Sequence, residues 1–282
     1  MREASEADID AIIAIAKATG QEEDWAVVFP NYVRHLIERG RFLVGGRHGA
    51  MTGFGATMQI GSGPQAICML TDLFVHPAAH GIGTGRALLS ALWGDEPRKM
   101  TFSSLHSNAM PLYTSFGVDA WWPLLYLGGP VSRLPRPDGW SVRVCDPREV
   151  AALELGWTGI DRTADHEMWA ARPAGASVIV SRDGKPVAAG TTGGVAAEYG
   201  LNHLAMDHSE AARPPDAADA VVAVLSWLRP ADDRAHVCLP APHPAVRGLL
   251  AAGWKIIEFD LYMASEPGLI DALTSVPSPA LA

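Results

Sequence analysis

The sequence predicts an α/β fold in which a mixed, mostly antiparallel sheet flanked by helices is built twice in tandem. Three observations carry this. Strand and helix signals alternate from Ser5 to Leu127, and much the same order returns from Ser141 to Met263. Between the two runs, the stretch from Gly128 to Gly139 holds Pro130, Pro135 and Pro137, which suit neither a helix interior nor a central strand. At 282 residues the chain also exceeds the roughly 100–200 residues of a single domain. The expected division is a first domain over 1–129, a linker over 130–139, a second domain over 140–276 and a frayed tail over 277–282.

The elements follow in order. Ser5-Glu6-Ala7-Asp8 reads as a helix start, after which Ile9, Ile12, Ile13 and Ala16 recur at helical spacing. A second helical segment runs from Asp24 to Glu38 and stops at Gly40. Arg41 to Gly45 and Met51 to Ile60 read as hairpin strands about Arg47-His48-Gly49. Past the turn at Gly61 to Pro64 come a strand at Ala66 to Val75, a helix at Gly85 to Trp93 and a strand at Lys99 to Ser104. A short helix at Asn108 to Phe116 and a strand at Trp121 to Leu127 close the first half. In the second half a strand at Ser141 to Val144 precedes a helix from Pro147. Ser177 to Ser181 and Pro186 to Gly190 form a hairpin across Asp183-Gly184, and Leu201 to Met206 is a strand. The segment Asp216 to Leu228 carries Ala220, Val221, Val224 and Leu228 on one helical face. Val237 to Leu239, Ala245 to Ala252 and Lys255 to Met263 complete a strand, helix and strand.

Bulk properties narrow the functional classes. Apolar residues make up 48% of the chain and charged residues 19%, ample for buried cores. No apolar run reaches the roughly 18–20 residues of a membrane span. The start, Met1-Arg2-Glu3-Ala4-Ser5-Glu6, has no apolar stretch of a secretion signal, so a cytoplasmic protein without membrane partners is expected. The formal net charge of −9 opposes nucleic-acid binding and suits a cationic small substrate. Cys68, Cys145 and Cys238 are odd in number and dispersed, as ordinary thiols are.

The chemistry-bearing segment runs from Asp72-Leu73-Phe74-Val75-His76-Pro77 through His80-Gly81-Ile82-Gly83-Thr84-Gly85 into Arg86-Ala87-Leu88-Leu89. An apolar strand meets a glycine-rich loop and then an amphipathic helix. N–H groups at a helix start lack partners and sit at the positive end of the helix dipole, so they attract phosphate. Glycine lets that backbone approach an anion closely, while Thr84 adds a hydroxyl and Arg86 a charge. The same three glycines serve a bare strand-to-helix connection equally well. A P-loop is excluded by the missing lysine, and the G-x-G-x-x-G dinucleotide spacing is not met.

At this point the segment resembles the GNAT superfamily of acyl-CoA-dependent N-acetyltransferases, whose signature is Q/R-x-x-G-x-G/A after a strand and a short Pro-containing turn. Leu73-Phe74-Val75-His76-Pro77 and Gly83-Thr84-Gly85 match, and His80 stands where Gln or Arg is usual. A second stretch, Asn108-Ala109-Met110-Pro111-Leu112-Tyr113-Thr114-Ser115-Phe116-Gly117, is similar to the family's N-x-x-A…L-Y-x-x-x-G segment. The resemblance implies acetyl-CoA or another acyl-CoA as cosubstrate. It places Leu73, Phe74 and Val75 along the pantetheine, His80 to Arg86 around the pyrophosphate, Asn108 near the pantetheine arm and the Tyr113 hydroxyl near the thioester sulfur. A phenol with a pKa of about 10 can protonate a departing thiolate. Transfer would be direct, by attack of a neutral amine. Asp72 is the candidate base on the strand, although period-two alternation can turn it away, and His76 and His106 are further candidates.

The second half lacks both handles. After Leu204-Ala205-Met206, the segment from Asp207 to Pro215 contains no glycine, and Pro214 and Pro215 each remove an N–H. Aligned on Gly253 against Gly117, Leu249 takes the place of Tyr113. This half is expected to bind no coenzyme and to play a structural role, with Trp121 and Trp122 in packing or along an acceptor cleft. His203 and His208 have no helical ligand spacing and no neighbouring cysteine pair, so no metal is expected. The expectation is an N-acetyltransferase acting on a primary amine of a small molecule, with a homodimer left open. A non-catalytic acyl-CoA-binding or regulatory module, or the same fold used for another acyl-CoA reaction, is the alternative.

Overall fold

A computed structural model describes residues 1–20, 30–47, 50–194, 199–207 and 214–281. The chain divides into two compact units. The first comprises residues 1–120 with 263–269, the second 121–262 with 270–280.

In the first unit Ser5 and Asp8 form a capping box, the Asp8 carboxylate accepting the Ser5 N–H and hydroxyl at 2.9 Å each. Helix α1 (Ile9–Ala18) follows. Helix α2 (Pro30–Arg39) ends at Gly40 as expected, and the predicted segment's first part, residues 24–29, lies outside the described residues. The strands are β1 (Arg2–Glu3), β2 (Arg41–Arg47), β3 (Ala50–Ile60), β4 (Ile67–Val75) and β5 (Lys99–Ser103), hydrogen-bonded in that order. All neighbours are antiparallel except β4 and β5. Helix α3 (Thr84–Trp93) packs Leu88, Leu89, Leu92 and Trp93 into the core, and α4 (Ala109–Thr114) buries Tyr113. Residues 263–269 complete this unit. There the Ser265 N–H donates to the Lys99 carbonyl at 2.9 Å, and Arg98 pairs with Glu266 at 2.8 Å.

The second unit contains β6 (Asp119–Pro130), β7 (Trp140–Cys145), α5 (Pro147–Thr158), α6 (Thr163–Ala170), β8 (Ala176–Arg182), β9 (Lys185–Gly193) and β10 (Gly200–Met206). Helix α7 (Pro214–Trp227), β11 (Arg234–Pro240), α8 (Ala245–Ala251) and β12 (Lys255–Ala264) follow. The strand order is β12-β6-β11-β10-β9-β8-β7, with β10 and β11 parallel. Leu204, Val221, Val224, Val237, Leu239 and Leu249 are among the residues of its apolar core.

Two expectations are corrected. Gly128, Gly129 and Pro130 belong to β6 rather than to a linker, because β6 pairs with β11 from Leu124↔Pro240 to Pro130↔Arg234. The contacts accordingly divide the chain at Ala120/Trp121. The tail is held down as far as Leu281: Val276, just before it, pairs with Leu204, and Ser278 and Leu281 are buried. Among the described residues, no helix is long and apolar enough to cross a membrane.

Candidate functional site

Strand β4 outruns its parallel neighbour. Its pairing with β5 covers Cys68↔Lys99, Met69↔Met100 and Leu70↔Thr101, whereas β4 continues to Val75. Beyond Leu70 the edge facing β5 therefore presents main-chain groups with no β5 partner, while the other edge stays bonded to β3 as far as Val75↔Gly53. A bulge marks the divergence: Leu70 faces Thr57 and Asp72 faces Ala56, so Thr71 is the extra residue on β4. Leu73, Phe74 and Val75 are half-buried along this stretch.

The loop beyond β4 is closed by its own hydrogen bonds. The His76 N–H donates to the Thr52 carbonyl at 2.9 Å, the Ala79 N–H to the His76 carbonyl at 2.8 Å, and His80 Nε2 donates to the Val75 carbonyl at 2.8 Å. His80, in the place of the usual Gln or Arg, thus folds back to hold the loop against the strand end. Gly81 and Gly83 have φ of +77° and +89°, a region that side-chain-bearing residues rarely adopt. Gly83 caps α3, whose first bond runs from the Ala87 N–H to the Gly83 carbonyl at 3.0 Å. The N–H groups of Thr84, Gly85 and Arg86 are those that helix geometry leaves over. The exposed Arg86 guanidinium lies 5.6 Å from the Phe116 ring, and Ile82 is exposed beside the glycines.

The β5–α4 connection approaches this loop, with the His80 and His106 rings 6.0 Å apart. His106 Nδ1 accepts the N–H of Asn108, which is exposed at the start of α4. Tyr113 is buried on α4, its ring edge-on to Trp93 at 5.8 Å. Asp72 is also buried, and its carboxylate accepts the hydroxyl of Tyr32 on α2 at 2.9 Å. Loop, edge and α4 thus lie together, while Asp72 directly follows the bulged Thr71. Trp122 stacks on Tyr262 at 4.2 Å and Trp121 is exposed.

The second unit repeats these devices with different residues. Leu201 faces Thr192 and His203 faces Thr191, leaving Asn202 as the extra residue on β10, so His203 follows the bulged residue as Asp72 does on β4. His243 Nδ1 accepts the Ala245 N–H at 3.2 Å at the start of α8, as His106 does for α4. Leu249 is buried. The loop from His208 to Arg213, where the sequence lacks glycines, lies outside the described residues, and Pro214 opens α7.

His203 joins a buried cluster that its sequence spacing did not reveal. His166 Nε2 lies 2.7 Å from Glu154 Oε2, and His203 Nε2 lies 3.1 and 3.2 Å from Oε1 and Oε2. Burial alone would raise the Glu154 pKa, but the two imidazoles and the Arg162 guanidinium hold it below the usual carboxylate range. Burial pushes His203 down, toward the neutral imidazole. These residues come from α5, α6 and β10, 12 and 49 positions apart, so no local motif could announce them.

Comparison with known proteins fits this geometry. No curated protein sequence matches the chain, but residues 38–118 match the family of acetyltransferase (GNAT) domains. A Pyrococcus horikoshii protein provisionally named an acetyltransferase superposes with a TM-score of 0.70 at 14% identity, over 100% of this chain and 93% of that one. A GCN5-related N-acetyltransferase from Anabaena variabilis gives 0.64 at 14% identity, over 93% and 71%. A tandem GNAT protein from the clavulanic acid biosynthesis pathway gives 0.58 at 14%, over 95% and 98%. Residues 38–118 therefore match the acetyltransferase (GNAT) domain family, and the chain as a whole has the fold of the GNAT proteins it superposes on.

Proposed function

We propose that this protein transfers an acyl group, acetyl in the first instance, from acyl-CoA to a primary amine of a small molecule, using one site in the first unit. The observation that carries this reading is that β4 runs on past its pairing with β5, from Leu70 to Val75, toward the glycine-capped start of α3. An extended pantetheine arm carries amides that can bond such an edge, and its pyrophosphate suits the N–H groups of Thr84 to Arg86. Gly81, Ile82 and Gly83 would line the phosphates, with His80 holding the loop. Asn108 would face the arm.

In the reaction the amine forms a C–N bond at the thioester carbonyl, and collapse of the tetrahedral intermediate breaks the C–S bond. Main-chain donors at the bulge would stabilise the oxyanion. Tyr113 would protonate the departing thiolate, and Asp72, with Tyr32 bonded to it, would take the proton the amine gives up. The second unit, with Leu249 in the place of Tyr113, is assigned no coenzyme.

Calorimetric titration with acetyl-CoA should give one site per chain, and thiol release across a panel of amines should identify the acceptor. Two sites would refute a silent second unit. Binding without thiol release from any amine would leave an acyl-CoA-binding module instead.

A further inference from the structure

We propose that Glu154, His166 and His203 in the second unit form a binding site for one divalent cation of the zinc class. One ligating atom from each of the three residues lies within 4.8 Å of the others. The residues are 2%, 0% and 6% exposed. Imidazole nitrogen and carboxylate oxygen together suit the late first-row divalent metals, and two histidines with one carboxylate form a known zinc ligand set.

The surroundings orient these groups as the outer partners of metal ligands do. Arg162 Nε pairs with Glu154 Oε1 at 3.2 Å, which leaves Oε2 as the oxygen turned to His166. His166 Nδ1 lies 3.2 Å from the Thr191 hydroxyl. Trp169 stacks on His203 at 5.0 Å and meets His166 edge-on at 5.3 Å, which fixes both rings.

Ligation needs each Nε2 without its proton. His166 can carry that proton on Nδ1, where Thr191 Oγ1 accepts it. Among the described residues, His203 Nδ1 has no hydrogen-bond partner, so none of them sets its tautomer from that side. A bare polar network is a poor reason to keep this cluster, because buried ionic groups can often be replaced by apolar packing with no loss of stability. A cation would tie α5 and α6 to β10 through one point. The site owes nothing to coenzyme binding in the first unit.

The test uses the full chain, dialysed against a chelator and titrated with Co2+, read by visible ligand-field absorption, elemental analysis and melting temperature. One Co2+ per chain with a raised melting temperature is expected. His166→Gln and His203→Gln should each weaken binding by at least about 100-fold, and Thr191→Val, which keeps the shape and removes the hydroxyl, by about tenfold. His80→Gln, at the exposed His80–His106 pair, should leave it unchanged. Folded wild-type protein that takes up no Co2+ would overturn the proposal. So would binding that survives in the folded Thr191 and histidine variants, or that is lost with His80.

Discussion

Tyr113 and Asp72 are tied down in different ways, and this makes their roles separable. Tyr113 is fixed through its ring against Trp93, so Tyr113→Phe keeps the packing and removes only the hydroxyl. Asp72 accepts from Tyr32, a bond that the amide oxygen of Asp72→Asn can also accept. Each variant should lower kcat by about 100-fold, the lower end for loss of a positioned acid or base, with the KM for acetyl-CoA nearly unchanged. The pH–rate profiles distinguish the two: loss of the acid should remove the alkaline limb, and loss of the base the acidic limb. If both limbs persist in both variants, the assignments are wrong. Tyr113 was legible in the sequence because it lies in a contiguous motif. The burial of Asp72 against Tyr32 was not, since that contact spans 40 positions. His80 was legible only as a departure from the signature, and its bond to Val75 needs the folded loop.

At the scale of elements, β6 shows how a composition signal misleads. Gly128-Gly129-Pro130 reads as a break because glycine and proline are poor in strand interiors. The strand persists through them because the missing side chain is filled from elsewhere. A Cβ on Gly129 would fall inside the Trp254 indole, whose Nε1 donates to the Pro130 carbonyl at 3.2 Å. Gly129→Ala should therefore destabilise the protein by about 1–3 kcal/mol through overpacking, measurable as a lower urea midpoint at an unchanged slope. Gly248→Ala, where a new Cβ meets nothing within 4 Å, is the control and should cost little or even stabilise α8. Equal losses would show that Trp254 does not set the limit at Gly129. The alternation of strands and helices was readable because each element declares its own period. The paired bulges on β4 and β10 were not, because a bulge is a relation between two strands and leaves no mark on either alone.

For the molecule as a whole, the repeated layout does not imply repeated chemistry, and the histidines at the helix starts show why. His106 and His243 make the same bond to the N–H two residues on, but His106 is exposed and His243 is 2% exposed. Burial pushes the His243 pKa down to about 4, with Asp271 opposing it, and burial also brings His236 on β11 to about 4. Above the unfolded value of 6.5 both states are neutral and the full stability is present. As pH falls from 6.5 toward 4 the unfolded chain binds protons that the folded one refuses, so stability declines, and below about 4 the loss stops growing. A depression of this size is worth on the order of 3 kcal/mol for the enclosed His243 at the acid end, and less for the partly exposed His236. Protonation of Nδ1 would also break the cap on α8. Acid sensitivity in this window should therefore be concentrated in the second unit. Hydrogen exchange at pH 5 and pH 8, corrected for the intrinsic rate, should show protection lost across β11 and α8 while β4 and α3 keep theirs. His243→Gln should flatten the fall in melting temperature between pH 8 and pH 5. Equal loss of protection in both units, or an unchanged slope in the variant, would mean that the buried imidazoles do not govern the acid limb.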